Sequence, residues 1–187
     1  EAEVRRPELG DVIEKLVPVL ADTSLEIAWR FQQTTGPVMA KGVEDTAFYR
    51  FTRLGSLTEV GGDPGQFALH VNGFHAARAA REASWPHAMT TLSTHDTKRG
   101  EDTRARLAVL TEMPQRWLEA ARGWIDAMPA GMTRADRYML IQTLVGAWPC
   151  EWRADPSDWP ADRLQPWLDR VAQWQEKALR EAKLHTS

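Results

Sequence analysis

Residues 117–128 read Trp-Leu-Glu-Ala-Ala-Arg-Gly-Trp-Ile-Asp-Ala-Met, with apolar positions every three or four residues. This spacing puts Trp117, Ala121, Trp124 and Met128 on one face of a helix. Two later stretches repeat the pattern, with stripes at Tyr138, Ile141, Leu144, Val145 and Trp148 and at Leu164, Trp167, Leu168, Val171 and Trp174. The pattern is typical of a mainly α-helical protein.

The N-terminal part shows the same periodicity. Residues 13–20 carry one apolar helical face. Thr23 followed by Glu26 fits a capping box that opens a second helix, which we expect to break at Gly36-Pro37. A third helical stretch is predicted through Phe48.

One short segment differs from the rest. Residues 88–92 read Ala-Met-Thr-Thr-Leu and lie between a proline and a polar cluster. We predict that this segment, and no other in the sequence, forms a β-strand. Because one strand cannot satisfy its own hydrogen bonds, we expect the remainder of its sheet to lie outside this chain.

Composition narrows the functional classes. The 187 residues carry a net charge of −3 and no apolar run of the ~20 residues that span a bilayer, so we expect no nucleic-acid or membrane partner. Cys150 is the only cysteine, which excludes an internal disulfide and favours a reducing, cytoplasmic setting. His70 and His75 do not have the spacing of a helical metal pair, and we expect no metal and no cofactor.

The strongest chemical signal follows the predicted strand, at Thr94-His95-Asp96. A carboxylate beside an imidazole at a strand end can fix sugar hydroxyls through paired hydrogen bonds. The alternative is an ordinary turn, in which Asp96 caps the next helix and His95 is solvated. Local sequence leaves both interpretations open.

A second signal lies in the run Lys41-Gly42-Val43-Glu44-Asp45-Thr46, which is next to Tyr49. Charged groups around a glycine and beside an aromatic ring could form the wall of a polar pocket. The same run could instead be a glycine-hinged helix start with a polar cap. Nine tryptophans could also suggest sugar stacking, but their helical spacing favours core packing for most of them.

Several long segments together resemble the maltooligosyl trehalose synthase family. They are residues 36–50 (GPVMAKGVEDTAFYR), 59–64 (EVGGDP), 85–87 (WPH), 93–102 (STHDTKRGED) and 177–185 (KALREAKLH). The resemblance implies a retaining enzyme of the α-amylase clan, with a β/α barrel and large helical insertions. Residues 1–86 would then be helical insertion, 87–100 a barrel strand and catalytic loop, and 101–187 a C-terminal helical region.

The resemblance also implies a reaction, the (1→4)-α-D-glucan 1-α-D-glucosylmutase reaction. The enzyme converts the reducing-end α-1,4 linkage of a maltooligosaccharide into an α,α-1,1 (trehalose) linkage by intramolecular transglucosylation, without a redox cofactor. The clan's sugar-binding aspartate corresponds to Asp96, with His95 on the same sugar. Lys98 and Arg99 would line the acceptor side, and Lys41, Glu44, Asp45 and Tyr49 fall in a family-like stretch as substrate-binding candidates.

The clan's nucleophile and acid/base have no counterpart here and would precede Glu1. We therefore expect an internal piece of the enzyme that is inactive by itself, because retaining chemistry needs two carboxyl groups about 5 Å apart. Two alternatives stay open: a self-contained helical domain that binds carbohydrate or protein, and another clan enzyme such as a 4-α-glucanotransferase.

Overall fold

The computed structural model describes residues 6–152, 155 and 159–185 and divides the chain into two compact units, Glu1–Val43 and Glu44–Ser187. The first unit contains helices α1 (Gly10–Ala21) and α2 (Glu26–Met39). The two helices pack against each other, and Ala28 is fully buried. The chain passes from the first unit to the second within a π-helical segment, Ala40–Ala47.

Two predictions for α2 are wrong. Its N-cap residue is Leu25, without a side-chain cap, so Thr23 and Glu26 form no capping box, and the Glu26 carboxylate instead accepts from Arg30 Nε at 2.8 Å. The helix also runs through Gly36-Pro37 to Met39. A proline removes only one helical donor, and the amide of Ala40 still reaches the carbonyls of both Gly36 and Pro37.

The second unit is built from short turns and longer helices. A single α-helical turn (Phe48–Arg50) and a 3-10 turn (Gly55–Leu57) precede helix α3 (Val71–Ser84). Helices α4 (Glu101–Val109), α5 (Pro114–Ala127), α6 (Arg134–Ala147) and α7 (Ala161–Ala182) follow. The apolar stripes predicted for α5, α6 and α7 are therefore confirmed as helices.

Helix α6 is the centre of this unit and packs against α4, α5 and α7. Thr133 begins it as predicted, because its hydroxyl accepts a hydrogen bond from the amide of Asp136 at 3.2 Å. Its Gln142 is buried and bonds Gly55 N and Thr52 O, each at 2.8 Å. The segment between the Phe48–Arg50 turn and Thr58 is thereby fixed against the helical core.

The strand predicted at residues 88–92 is wrong. Residues 88–91 have no regular structure, Leu92 lies in a bend, and the part of the chain that is described contains no β-strand. A strand is stabilised by the ladder of a neighbouring strand, and here no other extended segment pairs with residues 88–92. The mainly helical fold class is nevertheless confirmed.

The tryptophans are less buried than their spacing predicts. Trp117 and Trp152 lie in the interior, whereas Trp29, Trp85 and Trp124 are 55%, 72% and 49% exposed. Within the described ranges, no helix combines the length and apolar character needed to cross a membrane.

Candidate functional site

The His95–Asp96 pair lies on an open loop between α3 and α4. The side chains of His95 and Asp96 are 100% and 77% exposed, and His95 Nδ1 is 3.4 Å from Asp96 Oδ1. A turn forms around them, because the amide of Thr97 donates to Thr94 O at 3.2 Å. Helix α4 has Gly100 as its N-cap residue, without a side-chain cap, so Asp96 is not the cap of this helix.

Lys98 follows the open turn and points into the protein. Its ammonium group bonds Asp45 Oδ1 at 2.5 Å, and the two side chains are only 10% and 20% exposed. Burial by itself lowers the pKa of Lys98, but the hydrogen bond and the negative charge of Asp45 outweigh it, so the net pKa is raised. The pair joins the loop to the segment that contains the Lys41–Thr46 run.

Arg99 is also held inside the second unit. Its Nη1 donates to Gly55 O at 3.3 Å and to Thr58 Oγ1 at 3.1 Å, and its guanidinium lies 5.1 Å from the ring centre of Trp174. Burial lowers the pKa of Arg99, against the raising effects of Tyr49 and Glu59. The fit is close, since a Cβ at Gly55 would lie 3.0 Å from Arg99 Cζ and would require the guanidinium to shift by a few tenths of an ångström.

Two charged residues that sequence analysis did not select organise the same region. Glu59 Oε1 accepts a hydrogen bond from Lys98 N at 3.1 Å, and Oε2 accepts one from Arg99 N at 3.4 Å. Glu59 Oε2 also pairs with Arg104 Nη1 at 3.0 Å. Glu59 opens the EVGGDP segment at residues 59–64, so the family resemblance marked this residue without indicating its partners.

The remaining candidates lie in different surroundings. Glu44 Oε1 accepts from Gly61 N at 3.3 Å. Tyr49 is buried, its ring is 6.4 Å from that of Trp174, and burial raises its pKa despite the lowering effects of Lys98 and Arg99. Lys41 is exposed and belongs to the first unit.

The structure thus brings together three of the sequence segments that carry the family resemblance. Residues 44–49, 59–61 and 98–104 meet through the Lys98–Asp45 pair, the Glu59 hydrogen bonds and the Glu44–Gly61 contact. We call these contacts the loop-base cluster. His95 and Asp96 lie on the open turn that comes just before residues 98–104 of this cluster.

A cavity of about 330 Å³ adjoins the loop-base cluster. Lys98, Arg99, Trp167 and Trp174 contribute to its lining. Cations and aromatic faces in one cavity can bind a polyhydroxylated ring through hydrogen bonds and stacking. Among the described residues, no group of three or more His, Cys, Asp and Glu side chains is arranged to hold a metal ion.

Comparison with known proteins gives a consistent set of relatives. No protein-family model matches the chain. A putative maltooligosyl trehalose synthase of Mycobacterium tuberculosis, in strains H37Rv and CDC 1551, is 39% identical over 181 residues, which are 97% of this chain and 22% of the relative.

Solved structures show the same relationship. Maltooligosyltrehalose synthase from Arthrobacter ramosus is 43% identical, with a TM-score of 0.77 over 100% of this chain and 22% of that one. A hypothetical maltooligosyl trehalose synthase from Sulfolobus tokodaii is 31% identical, with a TM-score of 0.71 over 86% of this chain and 21% of that one. The chain thus spans about a fifth of the length of these relatives. In sequence and in fold, it matches a segment of the maltooligosyl trehalose synthases.

Proposed function

We propose that this chain is the part of a maltooligosyl trehalose synthase that supplies the sugar-binding aspartate of the active site. The whole enzyme moves the terminal glucose of a maltooligosaccharide from an α-1,4 to an α,α-1,1 linkage, as a glucan glucosylmutase. The proposed substrate is a linear α-1,4 glucan. We also propose that the reaction takes place in the cytoplasm, because a single cysteine, Cys150, fits a reducing compartment.

The observation that carries this proposal is the position of Asp96. Its carboxylate is exposed on a turn, whereas the side chain of Lys98, two residues further on, is held in the loop-base cluster and is only 10% exposed. A carboxylate presented in this way can accept hydrogen bonds from two neighbouring sugar hydroxyls. If those bonds strengthen as the ring flattens towards its oxocarbenium-like state, Asp96 stabilises the transition state more than the bound substrate.

His95 adds a second polar group beside the carboxylate. Its ring nitrogen lies 3.4 Å from Asp96, so one hydroxyl of the same sugar can bridge the two side chains. Lys98 and Arg99 line the adjoining cavity and provide the cations of the acceptor side. We propose that the positive charges of Lys98 and Arg99 are stabilised by Glu44, Asp45 and Tyr49. Lys41 is proposed as a further substrate-binding residue.

Asp96 cannot perform the reaction alone. A retaining transfer needs a nucleophile that forms a glycosyl–enzyme intermediate and a separate acid/base group about 5 Å from it. In our proposal both carboxyl groups come from polypeptide other than these 187 residues. The freed glucose then attacks the intermediate through its anomeric hydroxyl, gives the hydroxyl proton to the acid/base group and displaces the nucleophile carboxylate, which forms the non-reducing product.

The test is Asp96→Asn in a full-length synthase that carries this segment, with maltopentaose as substrate. The amide keeps the shape of the side chain but loses the negative charge, so we expect kcat to fall by about 10³-fold. Asp102→Asn, at an exposed position six residues further on, is the matched control and should leave kcat unchanged. Near-normal turnover by Asp96→Asn would refute the proposal.

A further inference from the structure

One guanidinium group ties together both ends of the loop that carries Asp96. Arg104 Nη2 donates to Leu92 O at 2.5 Å, and Arg104 Nη1 donates to Arg99 O. The eight residues from Leu92 to Arg99 therefore begin and end at the same side chain. Ser93 Oγ also donates to Glu101 Oε2, so the start of the loop is held a second time, at the first turn of α4.

Glu59 holds this guanidinium in place. Its Oε2 pairs with Arg104 Nη1 at 3.0 Å, and the two side chains are only 22% and 21% exposed. The same carboxylate accepts hydrogen bonds from the backbone amides of Lys98 and Arg99. Glu59 thus contacts both the Arg104 guanidinium and the C-terminal end of the loop.

The other hydrogen bonds near the tip of the loop are local, such as that from the amide of Thr94 to Thr97 Oγ1 at 2.6 Å. Residues 92–96 are exposed, they form no β-ladder, and the turn at Thr94–Thr97 is local. The Lys98–Asp45 pair and the contacts of Arg99 hold only the C-terminal end. The position of Asp96 relative to the helical core therefore depends on the contacts at the two ends of the loop, and the Glu59–Arg104 pair takes part at both ends.

We propose that Glu59 and Arg104 are positioning residues of the synthase reaction, which act through Asp96 without touching the substrate. This inference rests on the function proposed above. A displacement of about 1 Å in a reacting group can lower a rate by about 10²-fold. The pair is expected to matter through geometry, because its charged groups face each other and the loop backbone.

The first measurement compares kinetic constants in a full-length synthase that carries this segment. We expect Glu59→Ala and Arg104→Lys each to lower kcat for maltopentaose by about 10²-fold, with a much smaller change in KM. Glu59→Gln keeps one carbonyl oxygen, which can accept from one of the two loop amides, and should recover part of the lost kcat. Glu119→Ala, at an exposed site on α5, is the control and should behave like the wild type.

The second measurement separates positioning from general damage to the fold. If Glu59 acts only through Asp96, Glu59→Ala has no further effect on kcat once Asp96→Asn is present. A further loss of about 10²-fold in that background would overturn the inference. So would a wild-type kcat for Glu59→Ala beside an impaired Asp96→Asn enzyme, and that result would leave the proposed function standing.

A third measurement uses the 187-residue chain itself and does not depend on activity. Amide hydrogen exchange at Lys98 and Arg99 should accelerate at least about tenfold in Glu59→Ala, because both amides lose their acceptor. Exchange in α5 should stay at the wild-type rate. Unchanged protection at Lys98 and Arg99 would contradict the structural basis of the inference.

Discussion

At the scale of single residues, Lys98 contributes a charge whose stabilising effect depends on pH. Its pKa in the folded chain is raised, since the hydrogen bond and charge of Asp45 outweigh the effect of burial. The protonated form is therefore favoured more in the folded state than in the unfolded state. The resulting stability is fully present below the ordinary lysine pKa of 10.5 and is lost as pH rises through the folded pKa.

This linkage predicts a specific change in the alkaline range. The free energy of unfolding, measured by urea titration at several pH values, should fall above about pH 10.5, with a slope of up to ~1.4 kcal/mol per pH unit from one proton. Lys98→Met should be less stable at neutral pH but should lack this part of the fall.

Tyr49 provides the comparison for that measurement. Burial raises its pKa from the ordinary 10.0, so Tyr49 adds its own loss of stability from about that pH upward. Tyr49→Phe removes that contribution and leaves the one from Lys98. If the free energy of unfolding falls equally steeply above about pH 10.5 in Lys98→Met and in the wild type, the Lys98–Asp45 pair does not contribute to the pH dependence of stability.

Sequence analysis selected some of the residues that form the loop-base cluster, but it did not predict the contacts between them. Asp45 and Lys98 were both selected, yet they are 53 positions apart and no local pattern links them. Glu59 was missed as a functional candidate, because its partners Lys98, Arg99 and Arg104 lie about 40 residues away in the chain. Local spacing gives no information about such distant charge pairs.

At the scale of elements, the contact between α4 and α6 depends on the absence of a side chain at Gly146. A Cβ there would lie 2.6 Å from Thr103 Cγ2, which is far inside van der Waals contact. The hydroxyl of Thr103 meanwhile donates to Gly146 O at 3.1 Å. This close approach holds the helix that follows the Asp96 loop against the central helix.

We predict that Gly146→Ala destabilises the chain by about 1–3 kcal/mol, through overpacking. Adding Thr103→Ser removes the clashing methyl group and keeps the hydroxyl, so the double variant should recover much of the loss in urea denaturation. Gly123→Ala, in α5 with nothing within 4 Å of its would-be Cβ, should be neutral or stabilising. Equal effects of the substitutions at positions 146 and 123 would contradict this account of the interface.

Periodicity predicted the long C-terminal helices well, because their apolar stripes contribute buried residues, such as Trp117, Ile141 and Val171, to the interior of the second unit. It failed where local signals compete. The threonines at positions 90 and 91 favour a strand, but no other segment among the described residues pairs with them. Gly36-Pro37 indicates a break, but the helical backbone absorbs a single missing donor and continues as a π-helical segment.

At the scale of the whole molecule, the chain matches about a fifth of each synthase relative. The family resemblance was visible in short sequence segments, and the structure brings three of them together in the loop-base cluster. Their convergence gives the Asp96 loop a rigid base and an open tip. In our account, the open tip acts only together with two carboxyl groups supplied by other polypeptide.

The incubation of the purified 187-residue chain with maltopentaose tests that dependence, with the loss of reducing ends followed over time and the products separated by chromatography. A full-length synthase that carries this segment serves as the positive control. We predict no conversion by the chain alone above the buffer blank, since our proposal assigns both the nucleophile and the acid/base to other polypeptide. Formation of a trehalose-terminated product by the chain alone would contradict the account.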